Sequence, residues 1–461
     1  MVLTIDIGNT TIGIGGFQGN KLLFIEKISS RRPLSDAGYR KKLNMILDKH
    51  GLSAEAFEGS VISSVVPSVT AVFSSALEAF LGQKPLLLTH ELDLGYEISK
   101  VEDGKVTFLA DAQGIADANV FLRTTERILL KVAEVKAETF DELFEATKAL
   151  PWERYIPQDG KFWVAKANSV KSKLFSPSDI QSIMKKAIVE RLKGVYNVSW
   201  FPEDGASFPI RVAFMKDVAT IGIDTSGVSL HKRGYRQMTV KAPITETLAS
   251  ALIMLTPWKK DRSLVDPFCG SGTFPIEAAM MAADMAPGMN RSFLAEDWKH
   301  VVPRRCWYNA VEEAQDRVNL KIETDIQGYD IDAEALKAAR ANAKMAGVDS
   351  LIHFQQRPVK ELHHPKPYGF IITNPPYGER LEEKAALPQL YREIGESYRG
   401  LDKWSMYLIT SYDKAENDIG RKADKNRKIY NGMLKTYFYQ FLGPKPPKRS
   451  QSQEKKEGTI S

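Results

Sequence analysis

Ten residues decide most of what the C-terminal half of this chain can become. Leu264-Val265-Asp266 reads as a strand, Pro267 to Gly272 as a tight turn, and Phe274–Met285 as a helix. Gly270 and Gly272 take away Cβ atoms where a ligand must touch backbone, and the helix that follows aims its free N–H groups at that ligand. An α/β fold with a binding site at a strand end is the expectation. The turn alone leaves the ligand open.

Two later stretches narrow it. Ile326-Gln327-Gly328-Tyr329 reads as a strand ending on Asp330, followed by a helix over 333–346 and Gly347. A carboxylate there can accept both hydroxyls of a ribose. Asp330 follows Asp266 by 64 positions, whereas a dinucleotide fingerprint puts its acid about 20 residues on. A dehydrogenase reading loses ground.

The second stretch is Ile371-Ile372-Thr373-Asn374-Pro375-Pro376-Tyr377-Gly378. Two β-branched residues run into an Asn, and two prolines end the strand because proline cannot donate to a ladder. The strand end then holds an amide, free carbonyls and an aromatic face, which suit a planar base with an exocyclic amine. A turn-forming Asn before proline is the plain alternative. Cys269 sits in the glycine turn with no His nearby in sequence, so packing is expected of it rather than nucleophilic chemistry.

The chain has 461 residues, too many for one core. Two cysteines exclude a disulfide framework and point to a reducing cytosol. No apolar run approaches the roughly 20 residues of a membrane span, and the N-terminus lacks a basic-then-apolar leader. A cytoplasmic protein with no membrane partner is expected. A net charge of +6 permits a polyanionic partner without demanding one.

Basic residues gather between 155 and 236. Lys166, Lys171 and Lys173 follow a strand at 161–167, Lys185 and Lys186 lie on a helix at 178–192 capped by Ser178, and Lys232, Arg233 and Arg236 stand at the exit. Such clusters neutralise phosphates and give sequence-blind affinity for nucleic acid. For any single lysine, a solvated helix face is the simpler account. Strands are also expected at 210–216 and 218–224. Upstream, residues 98–150 alternate a strand at 105–109 with helices at 111–119 and 139–149.

The order of Asp266–Thr273, Gly328-Tyr329-Asp330 and Asn374–Tyr377 strongly resembles class I S-adenosylmethionine-dependent N-methyltransferases. With residues 155–236, which resemble a THUMP domain, the likeness runs over about 94–445. It is close to the guanine-N2 methyltransferases of large-subunit ribosomal RNA. The resemblance implies a Rossmann-like catalytic domain, S-adenosylmethionine as cofactor, and RNA, ribosomal by family, as partner. It assigns donor contacts to Asp266, Phe268, Cys269, Gly270, Gly272, Thr273, Asp330, Ile331, Val359 and Asn374, and catalysis to Asn374, Pro375, Pro376 and Tyr377. An acid often meets the adenine amine after the third strand; here Pro358 stands there, leaving backbone near Val359. The loop also resembles adenine-N6 enzymes and cannot choose the base. Residues 286–316, with Trp298 and Trp307, look like an insertion over the site.

The front end differs. Val2–Ile7, a Gly8-Asn9 turn, a strand at 60–66, helices at 37–49 and 69–81 and a strand at 85–89 resemble the first half of an actin-like (ribonuclease H-like) ATPase domain. Asp6 to Thr10 with 61–67 resembles type III pantothenate kinases, where Asp6 could hold a metal–phosphate. The second half of such a kinase, with its Gly-Ala-Asp-Arg segment, is not found. The expected domains are therefore 1–92, a partial actin-like α/β segment; 93–154, a truncated ferredoxin-like unit; 155–236, THUMP-like; 237–445, catalytic; and a disordered tail, 446–461.

Overall fold

A computed structural model describes residues 1–7, 11–19, 21–29, 34–64, 67–82, 86–88, 94–102, 104–236, 244–378 and 381–447. The expected Gly8–Thr10 turn, the Asp6 side chain and the tail from 448 lie outside the described residues. The chain divides into two compact units, Met1–Gly114 and Ile115–Ser461.

In the first unit, β1 (Val2–Ile7), β2 (Thr11–Gln18) and β3 (Lys21–Ser29) form an antiparallel meander. α1 (Asp36–Lys49), β4 (Gly59–Ser64), α2 (Pro67–Leu81) and β5 (Leu86–Leu88) follow, giving sheet order β3-β2-β1-β4-β5 with β4 and β5 parallel to β1. Leu3, Ile5 and Ile7 alternate along β1 onto one buried face, as a strand's period of two requires. They share a core with Tyr39 and Leu43 of α1 and Phe73 and Leu77 of α2. β3 had no counterpart in the sequence reading. A hairpin of β6 (Ile98–Glu102) and β7 (Lys105–Phe108) completes this unit, and α3 (Ala112–Phe121) spans its end.

Among the described residues the second unit has two sheets. β8 (Leu129–Lys136), β9 (Lys161–Val170), β10 (Ser207–Met215) and β11 (Val218–Asp224) form a sheet of order β8-β11-β10-β9. It is backed by α4 (Phe140–Ala149) and α5 (Pro177–Tyr196). Ile180, Met184, Ala187, Ile188 and Leu192 make the buried stripe of α5, the 3.6-residue spacing of an amphipathic helix. Its N-cap is Ser176, with Pro177 first in the helix, two residues ahead of the expected Ser178. β8 pairs with β11 from Leu129 onward, so a domain boundary at 154/155 would cut through this sheet. β8 lies at the edge of this sheet and has no fully buried residue.

The C-terminal part is α6 (Glu246–Met254), β12 (Leu264–Asp266), α7 (Thr273–Ala282), α8 (Arg304–Arg317), β13 (Ile326–Asp330), α9 (Ala333–Ala346), β14 (Ile352–Gln356), β15 (Phe370–Thr373), α10 (Leu381–Arg399), β16 (Ser405–Thr410), α11 (Ala415–Ile419), β17 (Lys425–Asn431) and β18 (Leu434–Phe441). The sheet order is β14-β13-β12-β15-β16-β18-β17; the first five strands are parallel and β18 runs antiparallel to β16. Leu264, Ile326, Phe370 and Ile372 face a core with α6, α7 and α9, while Val265, Tyr329, Ile371 and Met406 face one with α10. A sheet covered on both faces explains why these strands read as nearly continuous apolar runs. Among the described residues no helix is long and apolar enough to cross a membrane.

Residues 286–316 depart from expectation. Trp298 is fully buried, stacks on Phe208 of β10 at 4.9 Å and donates from Nε1 to the Ser207 carbonyl at 2.9 Å. Ala295 N–H donates to the Thr225 carbonyl. Trp298 thus braces the four-stranded sheet, while Trp307 stacks on Phe293 within the segment at 5.3 Å.

Candidate active site

β12 lies between β13 and β15, so chain connections leave it in opposite directions, and ligands of open α/β sheets bind at such a point. The glycine turn, Asp330 and Asn374 stand at the C-terminal ends of these three neighbouring strands.

The turn is held from below. Cys269 N–H donates to the Tyr329 carbonyl at 2.9 Å and Gly272 N–H to the Cys269 carbonyl at 2.7 Å. Gly272 has φ +89, and a Cβ there would sit 3.1 Å from the Ala339 Cβ, so glycine lets α7 pack on α9. Cys269 is buried, and burial pushes its thiol well above the usual range. A packing role fits.

Asp330 accepts from Gly270 N–H on Oδ2 and from Asp332 N–H on Oδ1, each at 2.9 Å. Both oxygens keep a lone pair for a further donor. Burial raises its pKa, against those two bonds. Beside it Ile331 is 69% exposed, an apolar flank for a flat ring. A two-oxygen acceptor beside an apolar platform and a backbone-lined turn suits an adenosine. Val359 is buried, and its carbonyl already accepts from Ser397 Oγ and Leu362 N–H, so of its backbone groups only the N–H can meet a ligand.

Asp266 does something different from the expected ligand contact. Its buried Oδ1 accepts from Phe268 N–H at 3.1 Å and from Thr373 Oγ at 2.6 Å. Burial lifts its pKa to about 7, opposed by those bonds and assisted by the Asp330 charge. It ties the glycine turn to the strand that delivers Asn374. Thr373 is thus a positioning residue that sequence reasoning passed over, although it directly precedes Asn374.

In the Asn374 loop, Pro375 is buried, Pro376 exposed, and Asn374 and Tyr377 half-buried. The Tyr377 phenol donates to Asn374 Oδ1, which fixes the amide oxygen and leaves it a second lone pair. Burial raises the Tyr377 pKa to about 12, against bonds to Asn431 and Asn374. Asn431, in the strand just before the terminal hairpin turn, is therefore part of the site, and only the fold could reveal it. Gly378 has φ +74, and a Cβ there would lie 2.9 Å from Leu387.

The basic residues divide. Lys166, Lys171, Lys186 and Lys232 are exposed. Lys173 is exposed but ion-paired with Glu138. Lys185 is turned inward: its Nζ donates to the Phe162 carbonyl and lies 3.7 Å from the Phe162 ring centroid. Arg233 is 3% exposed, donating to the Leu230 and Arg123 carbonyls. Arg236 donates to Glu246 Oε1 at 2.8 Å, the Ile244 carbonyl at 3.1 Å and Thr273 Oγ at 2.9 Å. Both arginines are corrections to the expected phosphate contacts. Guanidinium groups with several buried acceptors nearby serve the interior, and Arg236 pins the start of α7, engaging the Thr273 hydroxyl. Phe175 and Trp200, 80% and 79% exposed, are aromatic faces on the four-stranded-sheet domain that pattern reading passed over.

Four family models match the chain: a type III pantothenate kinase over 2–105, an RlmL ferredoxin-like domain over 86–129, a THUMP domain over 137–224, and an RMKL-like methyltransferase domain over 233–440. YpsC of Bacillus subtilis, provisionally named an RNA methyltransferase, is 46% identical over 376 residues, 81% of this chain and 97% of that protein. The ribosomal RNA large subunit methyltransferase K/L of Syntrophotalea carbinolica is 33% identical, covering 78% of this chain. The chain spans about half the length of such K/L relatives, 52% in that case. The crystal structure of SMU.472, described as a methyltransferase by inference and complexed with SAH, matches with TM-score 0.72 and 43% identity, over 77% of this chain and 94% of that one.

Proposed function

The chain belongs to the S-adenosylmethionine-dependent RNA methyltransferases of the RMKL-like family, and on that premise we propose that it methylates an exocyclic base amine, guanine N2 of large-subunit ribosomal RNA. The observation that carries the reading is the fixed Asn374 amide oxygen, one strand over from the glycine turn and two from Asp330. The name of the K/L relatives supplies the ribosomal RNA, and a reaction on that RNA belongs in the cytoplasm.

S-adenosylmethionine, when bound, supplies a methyl group already activated by its sulfonium. Asp330 would hold the ribose hydroxyls, Gly270 and Gly272 the backbone approach, and Ile331 and the Val359 N–H the adenine. The acceptor amine is the difficulty, because its lone pair is delocalised into the ring. N–H bonds from that amine to Asn374 Oδ1 and the Pro375 carbonyl would draw the nitrogen towards tetrahedral geometry and aim its lone pair along the line of displacement. This is catalysis by positioning and electrostatics. Tyr377 orients Asn374 through its hydroxyl and offers its ring to the base. The base must leave its stack to reach a loop at a strand end. Lys166, Lys171, Lys186 and Lys232, with Phe175 and Trp200, are the proposed surface for RNA phosphates and unstacked bases.

Incubating the protein with labelled S-adenosylmethionine and bulk large-subunit ribosomal RNA, then analysing nucleosides, tests this. N2-methylguanosine is expected. N6-methyladenosine would replace the guanine reading with the adenine one, and absence of label in RNA would refute both.

A further inference from the structure

We propose that the β17–β18 hairpin is a wedge that occupies the space left in the RNA stack when the target base swings into the Asn374 loop, with Met433 as the inserted side chain. The inference rests on the reading that the acceptor is an RNA base.

Met433 is 99% exposed at the hairpin turn, next to Gly432 with φ +62. Tyr430 and Leu434 beside it are 58% and 43% exposed. A cluster of apolar side chains held out in water at a turn does nothing for the fold, whose core ends at Ile429 on this hairpin. Along the hairpin itself the charge is of one sign. Lys425, Arg427, Lys428 and Lys435 are exposed, and no acid occurs between Lys425 and Lys435. The Lys428 ammonium lies 5.1 Å from the Tyr430 ring centroid. Apolar tip and cationic flanks together match a stacked, phosphate-bearing strand. A protein groove would need no such excess of positive charge.

The hairpin is also joined to the catalytic loop. Asn431 bonds to the Tyr377 phenol, which donates to Asn374 Oδ1. Met433 is two residues on from Asn431, so their Cα atoms are at most about 7.6 Å apart. The turn that carries Met433 is thus tied, through Asn431 and Tyr377, to the loop that carries Asn374. Flipping a nucleotide leaves an unstacked gap, and apolar side chains inserted at such gaps offset part of the cost. Methionine suits this because its unbranched thioether adapts to either neighbouring base. The lysines would hold the phosphates on both sides of the gap.

The test compares wild type with Met433→Ala on two synthetic RNAs containing the nucleotide that the bulk ribosomal RNA assay identifies. One RNA pairs the target within a helix, and the other leaves it unpaired in a bulge. For the variant, kcat/KM should fall at least about tenfold on the paired RNA and stay within about threefold on the bulged one, since unstacking costs a few kcal/mol. Thermal midpoint and S-adenosylmethionine affinity should match wild type, because Met433 packs against nothing. An equal loss on both RNAs, no loss on the paired RNA, or a wild type active only on the bulge would each overturn the wedge. So would a wild-type dimer that Met433→Asp dissociates with methylation intact, which would make the tip a protein contact. Failure of the wild type to label any RNA would instead refute the proposed function, so the two failures are distinguishable.

Discussion

Asp266→Asn isolates the buried carboxyl that joins the glycine turn to the strand leading into Asn374. The asparagine oxygen can accept the same bonds from Phe268 N–H and Thr373 Oγ, so geometry is kept and ionisation removed. In the wild type, burial raises the pKa from 3.8 to about 7. The folded chain thus holds this proton to higher pH than the unfolded chain does. The contribution is whole below about pH 4, is lost as pH rises towards 7, and stays lost above it. Between pH 5 and 7 that is about 2–3 kcal/mol at 1.36 kcal/mol per pH unit. Urea unfolding followed by tryptophan fluorescence at pH 5, 6, 7 and 8 measures it, with Trp258 and Trp404 both packed in the catalytic half. Relative to wild type, the variant should gain about 2–3 kcal/mol on going from pH 5 to pH 8. Parallel pH profiles would show that Asp266 is ionised in the fold throughout, and the account of it as a neutral tie would be wrong.

Asn374→Ala should lower kcat by about a hundredfold or more, in the range of losing a transition-state hydrogen-bond partner, while calorimetric S-adenosylmethionine affinity stays within a few-fold; near-normal turnover would refute the amine grip. Asp330→Ala should weaken S-adenosylmethionine binding about tenfold to a hundredfold, the value of one charge-assisted hydrogen bond or more, and unchanged affinity would remove Asp330 from the ribose. Glu277 is fully buried, accepts from Tyr235 at 3.0 Å and Ser250 at 2.6 Å, and lies within 3.8 Å of Arg123 and 3.6 Å of Arg233. Glu277→Gln leaves two buried guanidinium groups without their counter-charge, so unfolding should need about 3–5 kcal/mol less, read from the denaturant midpoint. For the pantothenate-kinase-like front end, incubation of the full chain with labelled ATP and pantothenate should yield no phosphorylated product; turnover would restore a kinase role.

Local signals were enough for much of this chain. Proline marked the ends of β12 and β15, and the ordered motifs at Asp266–Thr273, Asp330 and Asn374–Tyr377 carried the family resemblance. These are properties of a few neighbouring residues, and sequence displays them directly.

What tertiary structure alone decided concerns residues whose meaning depends on distant partners. Arg233 and Arg236 look like any basic pair, yet buried acceptors from Leu230, Glu246 and Thr273 turn them inward. Trp298 read as a lid until Phe208 and Ser207 supplied its partners. β8 and β3 carry weak patterns because edge strands bury little, so only pairing reveals them. Above all, Thr373, Asp266, Tyr377 and Asn431 become one linked assembly only because β12, β15 and β17 finish at the same end of the sheet. Charge and periodicity say that a side chain is basic or buried; which group it faces is settled by packing, whether the partner is 10 positions away, as Glu246 is from Arg236, or 107, as Thr373 is from Asp266.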